Sequence, residues 1–215
     1  MEIEHQYGFE DAIDYMKELY KGREGPTMID FEERAKNISY GPIIEDDIAR
    51  LFKVLLHVTK AKRVLEIGTS IGFSTTILAS VVKQYGGRVT TIDVDPKIIE
   101  EARRNFDREG VSDVIDIKIG KGEEVLKQLE DESFDIVFQD SSKQGYPLML
   151  NDCLRVLRKG GLLLVDDTLW PAAHPKKEWD DSVKGIHEFN RKLLEANVES
   201  AVLTIGEGCT VAVKL

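Results

Sequence analysis

From residue 63 to residue 167 the chain repeats one pattern: a strand-length apolar run, then a stretch with helical spacing. The runs read "RVLEIG" (63–68), "RVTTIDV" (88–94), "VIDIKIG" (114–120), "FDIVFQD" (134–140) and "GLLLVDD" (161–167). Helical spacing follows the first run through Tyr85, then covers 96–109, about 123–129 and 147–158. Pro96 suits a first helical turn, where its missing N–H costs nothing. Runs that are apolar at nearly every position are buried on both faces, and strands joined by helix-length connections run parallel. After a further helix at 181–196, two strands near 199–205 and 209–214 are joined by "GEG", which reads as an antiparallel hairpin at a sheet edge. Ahead of the repeat, residues 9–20, 28–38 and 46–59 read as helices, with "KGREGPT" breaking the chain between the first two. The expected fold is therefore α/β: a doubly wound, mostly parallel seven-stranded sheet with an antiparallel C-terminal edge hairpin and an N-terminal helical extension. No linker stands out, so residues 1–215 are expected to form a single domain, with 1–40 as the extension and 41–215 as the core.

Composition narrows the function. The chain is 42% hydrophobic and 32% charged, and no apolar run approaches the ~18–20 residues that span a bilayer. Its start, "MEIEHQYGFEDAIDY", is acidic and lacks a signal-peptide apolar segment. Cys153 and Cys209 lie far apart without metal-site spacing, and are read as reduced cysteines of a cytoplasmic protein. The net charge of −10 opposes a nucleic-acid binder, whose affinity comes largely from neutralising phosphates. Lys17, Lys21, Arg23, Lys176 and Lys177 are read as solvated surface. His5, His57, His174 and His187 show no metal-ligand spacing.

In open parallel sheets, ligands bind at the carboxyl ends of the strands. Glu66, Asp93, Asp140, Asp166 and Asp167 all fall there. The loop "EIGTSIGFS" places Gly68 and Gly72 between a strand and a helix, where a ligand can approach the backbone and the helix N-terminus. The dinucleotide fingerprint needs G-x-G-x-x-G, and Ser70 stands where its middle glycine belongs. No phosphate-binding G-x-x-x-x-G-K-[ST] is present. Asp93, 25 residues after Gly68, could accept hydrogen bonds from ribose hydroxyls, a feature shared by NAD proteins and methyltransferases.

In order along the chain, "VLEIGTSIGFST", "TTIDVDP", "FDIVFQDSSK", "GGLLLVDDTLW", "HEFN" and "GEGCTVAV" resemble the metal-dependent O-methyltransferases of the catechol and caffeoyl-coenzyme A type. The resemblance runs from about Asn37 to the C-terminus. It implies a Rossmann-like class I methyltransferase fold and two cofactors, S-adenosyl-L-methionine (AdoMet) and a divalent cation: Mg²⁺, with Mn²⁺ or Ca²⁺ as alternatives. Glu66, Gly68, Thr69, Gly72 and Ser74 would hold the amino-acid end of AdoMet, with Ile44 closing over it and Asp140 nearby. Asp93 would hold the ribose, and Gly120 and Gly122 would border the adenine. Asp140, Asp166 and Asp167 match the metal ligands, and Lys143 the catalytic lysine, with Asp140 beside it as the second catalytic residue. Trp170 and Tyr146, with Trp179, are candidates for an aromatic acceptor wall, and Asn190 for support behind the site. The implied reaction moves a methyl group to a metal-bound hydroxyl of a small catechol-like or phenolic acceptor. The implied assembly is a homodimer.

The chain departs from the family pattern at Gly122 and Glu123, beside the expected adenine site, and at the second of the two adjacent aspartates, which is usually Asn and here is Asp167. Three carboxylates leave a bound dication with a net negative surround, which favours tight metal binding and disfavours an anionic catecholate unless Lys143 stays charged or Asp167 is protonated. Three other readings stand beside this one. Similar proteins methylate a tRNA uridine hydroxyl, which the acidic net charge opposes. An NAD(P)-dependent oxidoreductase is opposed by Ser70. A non-catalytic AdoMet-binding module would need neither Lys143 nor the acidic triad.

Overall fold

The computed structural model describes residues 9–22 and 25–215, so His5 and Arg23 lie outside the described residues. Seven strands form one sheet: β1 (Arg63–Ile67), β2 (Arg88–Asp93), β3 (Ile115–Ile119), β4 (Phe134–Gln139), β5 (Leu157–Val165), β6 (Val198–Leu203) and β7 (Cys209–Lys214). Their order across the sheet is β3-β2-β1-β4-β5-β7-β6. The first five are parallel, and β7 runs antiparallel to both β5 and β6. The helices are α1 (Phe9–Tyr20), α2 (Met28–Ala35), α3 (Asp46–Thr59), α4 (Phe73–Val82), α5 (Pro96–Arg108), α6 (Gly122–Val125), α7 (Tyr146–Val156), α8 (Trp170–Ala173) and α9 (Asp181–Glu195).

Side chains alternate across a strand, so each central strand feeds two cores. Val64 of β1, Ile136 and Phe138 of β4 and Leu164 of β5 pack with Phe31, Phe52, Phe73 and Phe106 from α2, α3, α4 and α5. Leu65, Val137, Leu163 and Val165 point the other way, into a core with Tyr146, Leu150, Ile186 and Phe189 from α7 and α9. Asp95 caps α5 by accepting from the Lys97 N–H at 2.8 Å, and Pro96 occupies the first turn as expected.

The differences from the sequence reading sit at element ends. The helix expected at 123–129 is one α-turn, α6, followed by a 3-10 turn over Leu126–Gln128. The helix expected to reach residue 158 stops at Val156, because β5 begins at Leu157. The fifth strand, expected to begin at Gly161, begins at Leu157 and takes in Gly160 as well. The Gly160–Gly161 pair lies inside the strand, next to an irregularity where the β4–β5 register shifts between Phe134 and Ile136.

Candidate active site

The sheet order reverses between β1 and β4, and a cleft of about 940 Å³ opens at the carboxyl ends of these strands. Gly68, Ser70, Asp93, Gly120 and Gly122 line one end of it. Asp140, Lys143, Asp166, Asp167 and Trp170 line the other, and residues 41–43 and Glu45 border it from the segment before α3. This is the position at which open parallel sheets take ligands.

At the first end, the loop after β1 is held by the end of β2. Asp93 accepts from the N–H groups of Thr69 (3.1 Å), Ser70 (2.9 Å) and Asp95 (3.0 Å). The Thr69 and Thr91 hydroxyls are 2.6 Å apart. Gly68 has φ +107°, and a Cβ there would lie 1.7 Å from the carbonyl oxygen of Asp140, so only glycine lets the β1 loop touch the β4 loop. Glu66 points into the base of this loop and is fully buried. One of its oxygens accepts from the Thr75 hydroxyl and, at 2.6 Å, from the Thr91 hydroxyl. Its other oxygen, Oε1, is buried with no hydrogen-bond partner among the described residues. Burial pushes the carboxyl up to about 7, against the opposing pull of Ser74, Thr75 and Thr91. Ser74, expected to face a ligand carboxylate, is buried in the first turn of α4, close enough to Glu66 to favour its charged form. Thr69, Gly72 and Ser74 lie beneath the cleft wall, and Ile44 packs in the core on the α3 side. Its neighbours Ile43 and Glu45 face the cleft in its place, because Ile44 points inward to join that core.

At the second end, oxygens of Asp140, Asp166 and Asp167 lie within 4.8 Å of one another. The strand alternation that would send Asp166 and Asp167 to opposite faces ends at Val165. Asp167 has φ +61°, a left-handed conformation that Asp and Asn tolerate better than most side chains. Lys143 stands in a 3-10 turn after β4 and reaches into the triad. Its Nζ donates to Asp140 Oδ1 at 2.7 Å, pairs with Asp167 Oδ2 at 2.5 Å, and donates to Tyr146 Oη at 2.9 Å. Burial opposes the Lys143 charge, but Asp140 and Asp167 outweigh it and hold the ammonium above the usual lysine range. Asp166 Oδ1 is buried without a partner among the described residues. Burial, then Asp140 and Asp167, push the Asp166 carboxyl up to about 9. The charge excess foreseen for three carboxylates is offset in part by the Lys143 ammonium, and burial pushes both Asp140 and Asp166 upward.

Trp170 opens α8 at the cleft wall, with its ring centroid 5.7 Å from Lys143 Nζ and its buried Nε1 lacking a partner among the described residues. Tyr146, the other expected wall residue, is fully buried and stands behind Lys143, its ring edge-on to Phe189 at 5.7 Å. The hydrophobic run that follows it carries it into the α7–α9 core, so it contacts the lysine and does not line the cleft. Trp179 stacks near His187 at 4.9 Å and donates to the His174 carbonyl, away from the lining. Several polar cleft residues were not picked out in sequence, Ser70, Glu45 and Glu207 among them. Ser70 reads only as a missing glycine, Glu45 as the residue before a helix, and Glu207 as a hairpin-turn residue. Glu45 is pushed up by burial, then by Asp47, Asp167 and Glu207, which draws it into the same electrostatic neighbourhood.

The family model described as O-methyltransferase matches residues 28–215. A protein of Dictyostelium discoideum named "Probable caffeoyl-CoA O-methyltransferase 2" is 30% identical over 171 residues, covering 76% of this chain and 74% of that protein. A catechol O-methyltransferase of Niastella koreensis is 31% identical over 148 residues, covering 67% and 66%. Among solved structures, an O-methyltransferase from Bacillus cereus in complex with SAH superposes with a TM-score of 0.82 at 25% identity, covering 95% of this chain and 97% of that one.

Proposed function

Because the chain belongs to the O-methyltransferase family, we propose that it moves a methyl group from AdoMet to a hydroxyl of a small catechol-like or phenolic acceptor held at a divalent cation. The observation that carries this reading is the convergence of Asp140, Asp166 and Asp167 around Lys143, in one cleft with the loop that buries Glu66. The residues fit both groups. The unpartnered oxygen of Glu66 suits the ammonium of an amino-acid moiety. Asp93 already accepts three N–H groups, and a carboxylate has about four lone-pair positions, so it retains room for a ribose hydroxyl. Three carboxylates are hard oxygen donors of the kind that Mg²⁺, Mn²⁺ and Ca²⁺ prefer.

When bound, AdoMet supplies an activated methyl group, and a divalent cation supplies charge that favours the oxyanion of a hydroxyl whose pKa is otherwise about 10. The chain's own residues do the rest. Asp140, Asp166 and Asp167 hold and orient. Lys143 Nζ is the group placed to take the acceptor proton. With Asp140 and Asp167 engaged by a bound cation, Lys143 would lose the two carboxylate partners that favour its ammonium, and would yield its proton more readily. Trp170 offers an apolar face at the mouth, and alignment within the cleft contributes to rate by proximity. Residues 41–215 are the catalytic part in this reading and 1–40 an extension.

The test is mass spectrometry of products formed from AdoMet and Mg²⁺ with a panel of catechols and simple phenols, with bulk tRNA as a second substrate class. The expected result is a mono-methylated catechol whose formation stops on chelation of the metal and resumes on its return. Turnover that is indifferent to chelation, or methylation of tRNA alone, would overturn it.

A further inference from the structure

Helix α9 sends no side chain into the cleft, yet it touches both halves of the cation-binding end. Gly185 lies against the turn that carries Lys143: a Cβ there would sit 2.5 Å from the Lys143 carbonyl oxygen and 2.9 Å from Gln144 Cα. One turn on, Phe189 packs edge-on against Tyr146, whose hydroxyl accepts from Lys143 Nζ at 2.9 Å. The next residue, Asn190, donates from Nδ2 to the carbonyl of Thr168 at 2.8 Å, directly after Asp166 and Asp167. Residues 185 and 189 share a helix face and 190 flanks it. The Lys143 turn and the 166–168 loop come from different strands, and here one rigid rod holds both.

We infer that α9 is the positioning element of the site: Gly185 sets the height of the Lys143 turn, and Asn190 sets the loop bearing Asp166 and Asp167, so that the helix fixes the distance between the lysine and Asp167, its carboxylate partner on that loop. A helix serving only to cover the sheet needs neither a side-chain amide aimed at a loop carbonyl nor a glycine pressed onto a backbone carbonyl. Thr168 is also tied to the sheet, through the Gly208 carbonyl at 2.9 Å from its N–H and the Thr210 hydroxyl at 2.9 Å. Those bonds hold the loop to β7 and its hairpin, whereas Asn190 holds it to the helix that packs against the lysine turn. The inference rests on the cation site proposed above.

The decisive variant is Asn190→Asp, which keeps the size of the side chain and removes the donor. Mn²⁺ binding is measured by calorimetry or electron paramagnetic resonance, and AdoMet binding separately. The expected result is Mn²⁺ affinity lowered about tenfold, with AdoMet affinity changed by less than about twofold and kcat lowered per AdoMet-binding site. Unchanged Mn²⁺ affinity and kcat overturn the inference. A helix that only stabilised the fold would lower the melting temperature and the AdoMet stoichiometry, leaving kcat per binding site intact, and that result overturns it too. Gly185→Ala is the second variant and decides the matter if the first does not fold: kcat falls about tenfold while Mn²⁺ and AdoMet affinities hold, and a wild-type kcat counts against the inference. Absence of Mn²⁺ binding to the wild-type protein sinks the cation reading itself, which distinguishes the two failures.

Discussion

Replacing Glu66 by Gln should flatten the pH dependence of stability and weaken AdoMet binding at the same time. Glu66 is fully buried, and its carboxyl is pushed from the ordinary 4.5 to about 7. A raised carboxyl pKa means that the folded state prefers the neutral acid. Stability from this group is therefore fully present below about pH 4.5 and is lost as pH rises through about 7. At about 1.4 kcal/mol per pKa unit, the ionised carboxylate costs the ligand-free fold on the order of 3 kcal/mol above neutral pH. Gln keeps the shape and an acceptor for Thr75 and Thr91 but has no charge to bury. Its amide nitrogen takes the place of the unpartnered oxygen at a cost of about 1–3 kcal/mol that does not vary with pH. The informative quantity is thus the change in unfolding free energy between pH 5 and pH 8, from urea titrations of the ligand-free protein. The wild type should lose about 2.5 kcal/mol more than the variant over that window. AdoMet affinity should fall by roughly ten- to a hundredfold in the variant, the worth of one hydrogen bond to a charged group. Parallel stability curves for the two proteins, or undiminished AdoMet affinity, would show that Glu66 is neither strained by burial nor waiting for a cationic partner.

Three further outcomes are expected. Lys143→Ala should lower kcat by roughly a hundred- to ten-thousandfold, as loss of a general base does, while AdoMet affinity measured by calorimetry is unchanged. Asp167→Asn should fold normally, since Asn also tolerates the left-handed backbone, and should lower Mn²⁺ affinity by direct titration; Asp167→Ala should add a backbone penalty of about 1–2 kcal/mol, read as a further drop in unfolding free energy. Gly68→Ala should abolish AdoMet binding or folding outright, because its Cβ would overlap the Asp140 carbonyl, and a well-folded variant that binds AdoMet in calorimetry contradicts the packing described.

Periodicity carried most of the fold because its signals are local. Each central strand alternates between two cores, and each run of helical spacing covers one of them. The carboxyl-end acids were legible for the same reason: once the strands are placed, Glu66, Asp93, Asp140 and Asp166 can only end at one rim. What sequence did not reveal depends on contacts between distant segments. Tyr146 looks like a cleft aromatic from its place three residues after Lys143, yet Phe189, far along the chain, draws it into the core. Ile44 and its neighbours differ by a single step of backbone rotation, which no local pattern encodes. The strand expected to start at Gly161 starts at Leu157, and only the pairing with β4 shows the four residues before Gly161 inside it. The length of α7 is set by where β5 finds its partner.

The left-handed backbone at Asp167 also says something about how freely this site can vary. The position carries two demands at once: an oxygen-bearing side chain short enough to face its neighbour's partner, and a backbone handedness that L-residues resist. Glycine meets the second and fails the first. Glutamate meets the first and is poorly suited to the second. Aspartate and asparagine satisfy both, so the alphabet at this position shrinks to two letters that differ by one unit of charge. Drift between those letters changes the electrostatics of the site in a single step without disturbing its shape.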